Sequence, residues 1–305
     1  CIRDRIQIIP MCLCGLNKLF NISNFKMEFS ITNSNQSKFF SINCNGRLID
    51  LSKAKLMGIL NLTPDSFSDG GIYNNEKSAL HQAENLLKNG ATIIDVGAQS
   101  TRPNAEYLKA DEEVRRIGNV ISLIKKEFPE SLISLDTFYS DVVKFGYDEG
   151  IDIVNDISAG QFDSELLDTV AMTGLPYILM HINPTYKSMH KKNRFDDVIL
   201  SINRFFSEKV NVLRQNGIKD IILDPGFGFG KTVEDQYKMI EDFEYIGFGK
   251  FPILAGISKK SFIYKPLGKQ PNEVEKETLN LHEKLLQKGA NIIRLHNPET
   301  LKSSL

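Results

Sequence analysis

Eight short runs rich in Ile, Val and Leu, roughly evenly spaced from Lys55 onward and separated by segments of helical periodicity, predict an α/β chain folded as a (β/α)8 TIM barrel. Almost every run also ends in a polar residue, at the position where such a barrel keeps its active site. In order the runs are KLMGIL from Lys55, TIIDV from Thr92, LISLD from Leu132, IDIVN from Ile151, YILMH from Tyr177, DIILD from Asp220, PILAGI from Pro252 and NIIRLH from Asn291. Between the first two, Ala79, Leu80, Ala83, Leu86 and Leu87 recur at three-to-four spacing, and Asn89-Gly90 supplies a helix stop. Similar patterns place helices at about 111–127, 140–149, 163–173, 196–215, 233–245 and 272–288, each between consecutive runs. An open doubly wound sheet is the alternative that a count of elements leaves standing. Even spacing and polar strand ends favour closure.

Those ends are Asn61, Asp95, Asp136, Asn155, His181, Asp224, Ser258 with Lys260, and Arg294 with His296. Capping and turn formation account for one such residue easily, and for eight on one rim with difficulty. The rim offers carboxylates at Asp136 and Asp224, amides at Asn61 and Asn155, and cations at Lys260 and Arg294. Ionised acids only accept hydrogen bonds, so two of them beside an amide suit a flat heterocycle bearing several N–H donors, such as an aminopyrimidine. Arg294 can stack on a planar ring or pair with an anion, while Lys260 is a compact point charge. Structural ion pairs are the simpler reading of the same residues, and a glycosidase-like acid and base pair is a third.

Composition narrows the partners. A 305-residue chain that is 41% hydrophobic can bury one large core or two modest ones, and a barrel needs one. With 37 basic and 38 acidic residues, a net charge of -1 and no basic run, neither nucleic acid nor an anionic membrane is an expected partner, which leaves small molecules. No apolar stretch approaches the roughly 18 residues needed to span a bilayer. The four cysteines, Cys1, Cys12, Cys14 and Cys44, lie upstream of the chemistry, and no histidine precedes His81, so unpaired thiols in the cytoplasm are expected. Residues 1–40 are rich in Asn, Ser and Phe without sustained periodicity and are expected to be a disordered or artefactual tail, leaving 41–305 as the barrel domain.

Two loops after the first and second strands, DSFSDGG at Asp65 and STRPNA at Ser100, are polar and bear glycine or proline, as suits segments that close over a ligand. GFGFGK from Gly226 resembles a phosphate loop but is one residue short of a Walker motif, and its alternating glycines miss the dinucleotide fingerprint. A tight loop that lets backbone and Phe229 approach a ligand fits better.

MGILNLTPDSFSDGG from Met57 and DPGFGFGK from Asp224, together with SLDT at Ser134, IVNDI at Ile153, MHI at Met180 and SKKSF at Ser258 in the same order, resemble the dihydropteroate synthases of the pterin-binding barrel family over residues 41 to 305. That resemblance implies a transferase of folate biosynthesis joining p-aminobenzoate to 6-hydroxymethyl-7,8-dihydropterin diphosphate with release of diphosphate. It implies magnesium, with Asn61 as its protein ligand, and catalytic roles for Asn61, Lys260, Arg294 and His296. It implies a pterin pocket of Asp136, Asn155, Asp224, Lys260, Met180, Phe229 and Arg294, and diphosphate binding by Asn61, Thr101, Arg294 and His296. By the same resemblance p-aminobenzoate meets Phe67, Thr101, Arg102, Pro103 and Ser261, sulfonamides compete for that site, and the chain is a homodimer.

The chain departs from the family pattern at Ala98 and Gln99, where Gly-Glu is usual, at Asn297, where an aspartate is usual, and at Lys259, where an arginine is common. It stops at Leu305, so the eighth helix is expected to be truncated. Two rival readings follow: a catalytically weakened pterin-binding homologue, and a methyltetrahydrofolate:corrinoid methyltransferase sharing the pterin pocket.

Overall fold

The computed structural model of the chain describes residues 39–63, 72–99, 107–182, 191 and 193–304. A hairpin of β1 (Ser41–Cys44) and β2 (Arg47–Asp50) precedes eight strands: β3 (Lys55–Asn61), β4 (Ile93–Gly97), β5 (Leu132–Asp136), β6 (Ile153–Asp156), β7 (Tyr177–Met180), β8 (Ile221–Asp224), β9 (Leu254–Ala255) and β10 (Ile292–Leu295). The eight are parallel in the order β8-β7-β6-β5-β4-β3-β10-β9, and a parallel bridge between Leu223 and Ile253 joins the two outer strands, closing the barrel. β9 is the shortest, two residues where six were expected.

The helices are α1 (Ile72–Lys88), α2 (Ala110–Ile117), α3 (Val120–Glu127), α4 (Ser140–Glu149), α5 (Leu166–Thr173), α6 (Val198–Gln215), α7 (Val233–Glu241), α8 (Ser261–Tyr264) and α9 (Glu275–Gln287). α6 shows why such segments form: Val198, Ile202, Phe206, Val210 and Leu213 are buried at helical spacing, and the Asp197 side chain caps the first turn by accepting from the Leu200 amide. α7 opens on a reciprocal capping box between Thr232 and Asp235. The helix expected over 111–127 is two, because Gly118 takes a positive φ of 47° between them. At the place of the eighth helix, Pro298–Ser304 is a 3-10 segment that buries Leu301. Lys302 Nζ in that segment donates to the Lys88 carbonyl at 2.9 Å.

Alternation along the strands sorts the core in two. Leu56, Leu60, Ile94, Val96, Ile133, Leu135, Val154, Leu179, Leu223, Ile293 and Leu295 belong to the large cluster that packs against the helices. Met57, Ile93, Leu132, Ile153, Ile178, Ile222, Leu254 and Ile292, one from each strand, form a separate ring inside the barrel with Ile42, Cys44 and Leu51. The hairpin therefore caps the N-terminal mouth. Its turn is Asn45-Gly46, both at positive φ, and it is tied to the barrel wall by Asn45 Nδ2 to the Ile151 carbonyl at 2.8 Å and Asn291 Nδ2 to the Leu51 carbonyl at 3.0 Å.

Candidate active site at the C-terminal mouth

Side chains alternate along a strand, so the residues two and four places beyond the apolar ring share its inward face. From Met57, Ile93, Leu132, Ile153, Ile178, Ile222 and Ile292 the count arrives at Asn61, Asp95, Asp136, Asn155, Met180, Asp224, Arg294 and His296. Seven of the ten strand-end residues expected on the rim are thereby brought to one mouth, and Ser258, beside His296, and Lys260, near Arg294 and Asp224, join them there after β9. The exception is His181, which belongs to the outward series. Its ring lies 4.9 Å from that of Phe205 and 6.4 Å from that of Phe206 on α6, and burial pushes it well below the ordinary histidine range.

The centre of the mouth is an arginine between two acids. Arg294 donates from Nε to Asp95 Oδ2 at 2.6 Å and from a terminal nitrogen to Asp136 Oδ2 at 2.9 Å, and Asn155 Nδ2 reaches both Asp95 oxygens at 3.2 Å. Burial works against the guanidinium charge, but Asp95 and Asp136 raise its pKa further still. Burial, reinforced by the neighbouring Asp95 charge, lifts Asp136 to about 7 against the pull of Arg294. Asp224 is raised by burial too, although its Oδ1 accepts from the Gly226 amide at 2.7 Å.

Asp95 matters as much here as any residue expected at the site. The sequence marks it as a polar strand end without assigning it a ligand, yet it is 1% exposed and holds both Arg294 and Asn155. A buried acid is almost never unpaired, which is the signal that was available for it.

The loops after β8 and β9 bring two lysines. Gly226 has φ 69°, and a Cβ there would meet the His181 carbonyl oxygen at 2.3 Å, so only glycine lets this loop fold onto β7. Lys231 Nζ, buried beneath it, donates to the Gly226 and Phe229 carbonyls at 2.9 and 3.2 Å, and burial lowers its pKa to about 7. Lys260 Nζ stands 4.4 Å from the centre of the Phe229 ring, and burial followed by the Arg294 charge lowers it to about 8. Lys259 before it adopts φ 57°, a left-handed conformation costly for a side chain, in the turn where the Lys260 amide donates to the Ile257 carbonyl at 3.1 Å. Ser261 is exposed at the start of α8, and His296 Nδ1 lies 3.0 Å from Ser258 Oγ.

Phe67, Thr101, Arg102 and Pro103 lie outside the described residues, as does nearly all of the N-terminal tail, including Cys1, Cys12 and Cys14. The three departures are built in consistently. Ala98 is fully buried. Gln99 Nε2 donates to Glu113 Oε2 at 2.9 Å and to the Leu108 carbonyl at 3.1 Å, while its oxygen accepts from the Leu108 amide at 3.1 Å. Glu113, raised by burial to about 7, thus keeps an acid beside Gln99. Asn297 Nδ2 donates to Glu275 at 3.1 Å.

A family model described as pterin binding enzyme matches residues 57–296. The dihydropteroate synthase of Escherichia coli strain K12 is 39% identical over 254 residues, 83% of this chain and 89% of that protein. That of Synechocystis is 40% identical over 250 residues, 81% and 86% of the two chains. Among solved structures, Xanthomonas albilineans dihydropteroate synthase with 4-aminobenzoic acid superposes with a TM-score of 0.80 at 31% identity over 87% of this chain and 95% of that one. The Yersinia pestis enzyme in a sulfonamide drug complex gives 0.80 at 35% identity over 87% and 96%.

Proposed function

The chain belongs to the pterin-binding enzymes, and we infer that its reaction is that of the dihydropteroate synthases, a transfer in folate biosynthesis. The aniline nitrogen of p-aminobenzoate attacks the methylene carbon of 6-hydroxymethyl-7,8-dihydropterin diphosphate. The carbon–oxygen bond breaks with its electron pair leaving on diphosphate, and the nitrogen loses a proton to solvent. The observation that carries this reading is the cluster of Asp95, Asp136, Asn155, Asp224, Lys260 and Arg294 at one mouth of one barrel.

Each group has work in that reaction. Asp136 and Asp224 accept from the pterin N–H donors, Asn155 supplies an amide to the same edge, and Met180 and Phe229 form its apolar walls. The pterin donors replace the bond that Asp136 now accepts from Arg294, which frees the guanidinium to lie over the ring and to draw on the departing diphosphate with His296 and Lys260. Ser261, with Phe67, Thr101, Arg102 and Pro103 of the first and second loops, takes up p-aminobenzoate, and Thr101 also reaches the diphosphate. Sulfonamides compete at that position.

Magnesium is part of the reading. Among the described residues no group of three or more His, Cys, Asp or Glu side chains is placed to hold an ion. Asn61 sits on the inward face, partly exposed and not engaged by another described side chain, and offers one hard amide oxygen. That suits an ion that keeps most of its shell as water and diphosphate oxygen. Bound there, magnesium would neutralise charge on the leaving group.

Diphosphate release assayed with both substrates and magnesium tests the activity. Release in step with p-aminobenzoate is expected; pterin binding without release would favour the weakened homologue, and methyl transfer to a corrinoid would favour the other rival. A cytoplasmic homodimer completes the reading, and no described helix is long and apolar enough to cross a membrane. Sedimentation at micromolar concentration tests the dimer.

A further inference from the structure

Ser258 belongs to the SKKSF segment, but neither pterin nor p-aminobenzoate has been given it as a contact. It follows β9, next to β10 in the sheet, and it stands beside His296 at the same mouth. Two hydrogen bonds join the pair. The His296 backbone N–H donates to Ser258 Oγ at 3.3 Å, and the same oxygen lies 3.0 Å from His296 Nδ1.

The direction of the first bond is fixed, because a backbone N–H only donates. The second can run either way, and the surroundings choose. Ser258 has no other acceptor among the described residues. If its hydroxyl donates to Nδ1, the three groups form a chain, N–H to Oγ–H to Nδ1, in which each bond polarises the next. If instead Nδ1 carried a proton, two donors would converge on one oxygen and the hydroxyl proton would be left to solvent.

We propose that Ser258 is a positioning residue that holds His296 in its neutral Nε2–H tautomer, so that the imidazole presents an N–H donor to the departing diphosphate. This rests on the assignment of His296 to the diphosphate. A neutral donor suits the position, since Arg294 and Lys260 already place two cations at this mouth and a third would meet their repulsion. Ser258 and His296 also line a cavity of about 230 Å³ between α9 and the C-terminal segment, with Thr278, His282, Leu295 and Asn297. Without the serine hydroxyl, water from that cavity can approach Nδ1 as donor or acceptor and leave the tautomer unfixed.

The test is nitrogen-15 NMR on the full chain with labelled histidine, which gives five ring systems. The His296 pair of signals is identified by its loss in His296→Gln. Wild type should show a protonated Nε2 and an unprotonated, hydrogen-bonded Nδ1 at pH 8. In Ser258→Ala the two nitrogens should move toward averaged shifts, and Ser258→Thr should restore the wild-type pattern. In parallel, Ser258→Ala should raise KM for the dihydropterin diphosphate about tenfold with KM for p-aminobenzoate unchanged, and the threonine variant should recover most of the loss. An Nδ1–H tautomer in wild type, or an unaltered one in the alanine variant, overturns the proposal. A correct tautomer in a protein that releases no diphosphate would instead overturn the proposed reaction and leave the role of Ser258 standing.

Discussion

The two mouths of the barrel are built from the same strands on the same inward face, and they differ in everything else. At the N-terminal mouth eight apolar side chains, one per strand, close against Ile42, Cys44 and Leu51 of the hairpin. Burial there pushes the Cys44 thiol up to about 12, so it remains protonated and inert. Two to four residues further along each strand, the same face carries Asp95, Asp136, Asn155, Asp224 and Arg294, with Arg294 bridging Asp95 and Asp136, Asn155 bonded to Asp95, and Asp224 accepting from the Gly226 amide. The lesson is a division of labour along the barrel axis. One end contributes stability through apolar burial, and the other carries desolvated charges that cost stability unless every one is paired.

The largest expected effect is at the charged mouth. Arg294→Met leaves Asp95 and Asp136 facing each other, and turnover should fall roughly a thousandfold, as when a donor to developing charge is lost. Residual activity within tenfold of wild type would contradict the central place given to Arg294. Asp95→Asn keeps shape but removes one charge from the bridge, so kcat/KM for the pterin substrate should fall about 10- to 100-fold, on the order of 1.5–3 kcal/mol for one charge-assisted bond.

The apolar mouth should respond in the opposite way. Ile178→Ala is expected to cost about 2–5 kcal/mol of stability by denaturant titration with kcat unchanged. If catalysis falls in proportion to stability there, the two ends are not separable.

Proton linkage sharpens the contrast. Asp136 must be ionised to accept from the pterin, so kcat/KM should rise through about pH 7, and it should fall again through about pH 8 as Lys260 loses its charge. Asp136→Asn should remove the acid limb of that bell.

The smallest effect concerns His282, 2% exposed on α9 with an unpartnered Nε2 and lowered by burial to about 4. A histidine that takes up its proton more readily when unfolded loses stability as pH falls from about 6.5 toward 4, roughly 1 kcal/mol by pH 5.5. Stability curves of His282→Leu should be flatter over that window.

Much of this was legible in advance because local chemistry decides it. A short run rich in Ile and Leu placed LISLD at Leu132–Asp136, and helical periodicity placed the helix at 140–149, both as observed. The hairpin was missed although Asn45-Gly46 between Ile42 and Leu48 signals one, since the stretch is too short to show a period. His181 was expected on the rim, but a strand end that is polar does not say which way it faces; the parity counted from the apolar ring does, and that ring is known only once the strands are paired. Asp95 is marked in the sequence as a polar strand end, but its partner Arg294 lies 199 residues away and is identified only by the fold.

The sequence by itself determined the alternation of strands and helices, the family and the polar ends of the strands, because these depend on periodicity, turn residues and motifs a few residues long. Only the tertiary structure decided which inward positions meet, how Arg294 is shared between two acids, and which groups lose their ordinary pKa. Those follow from closure of the barrel, which brings distant strands within hydrogen-bonding distance and removes water from between them.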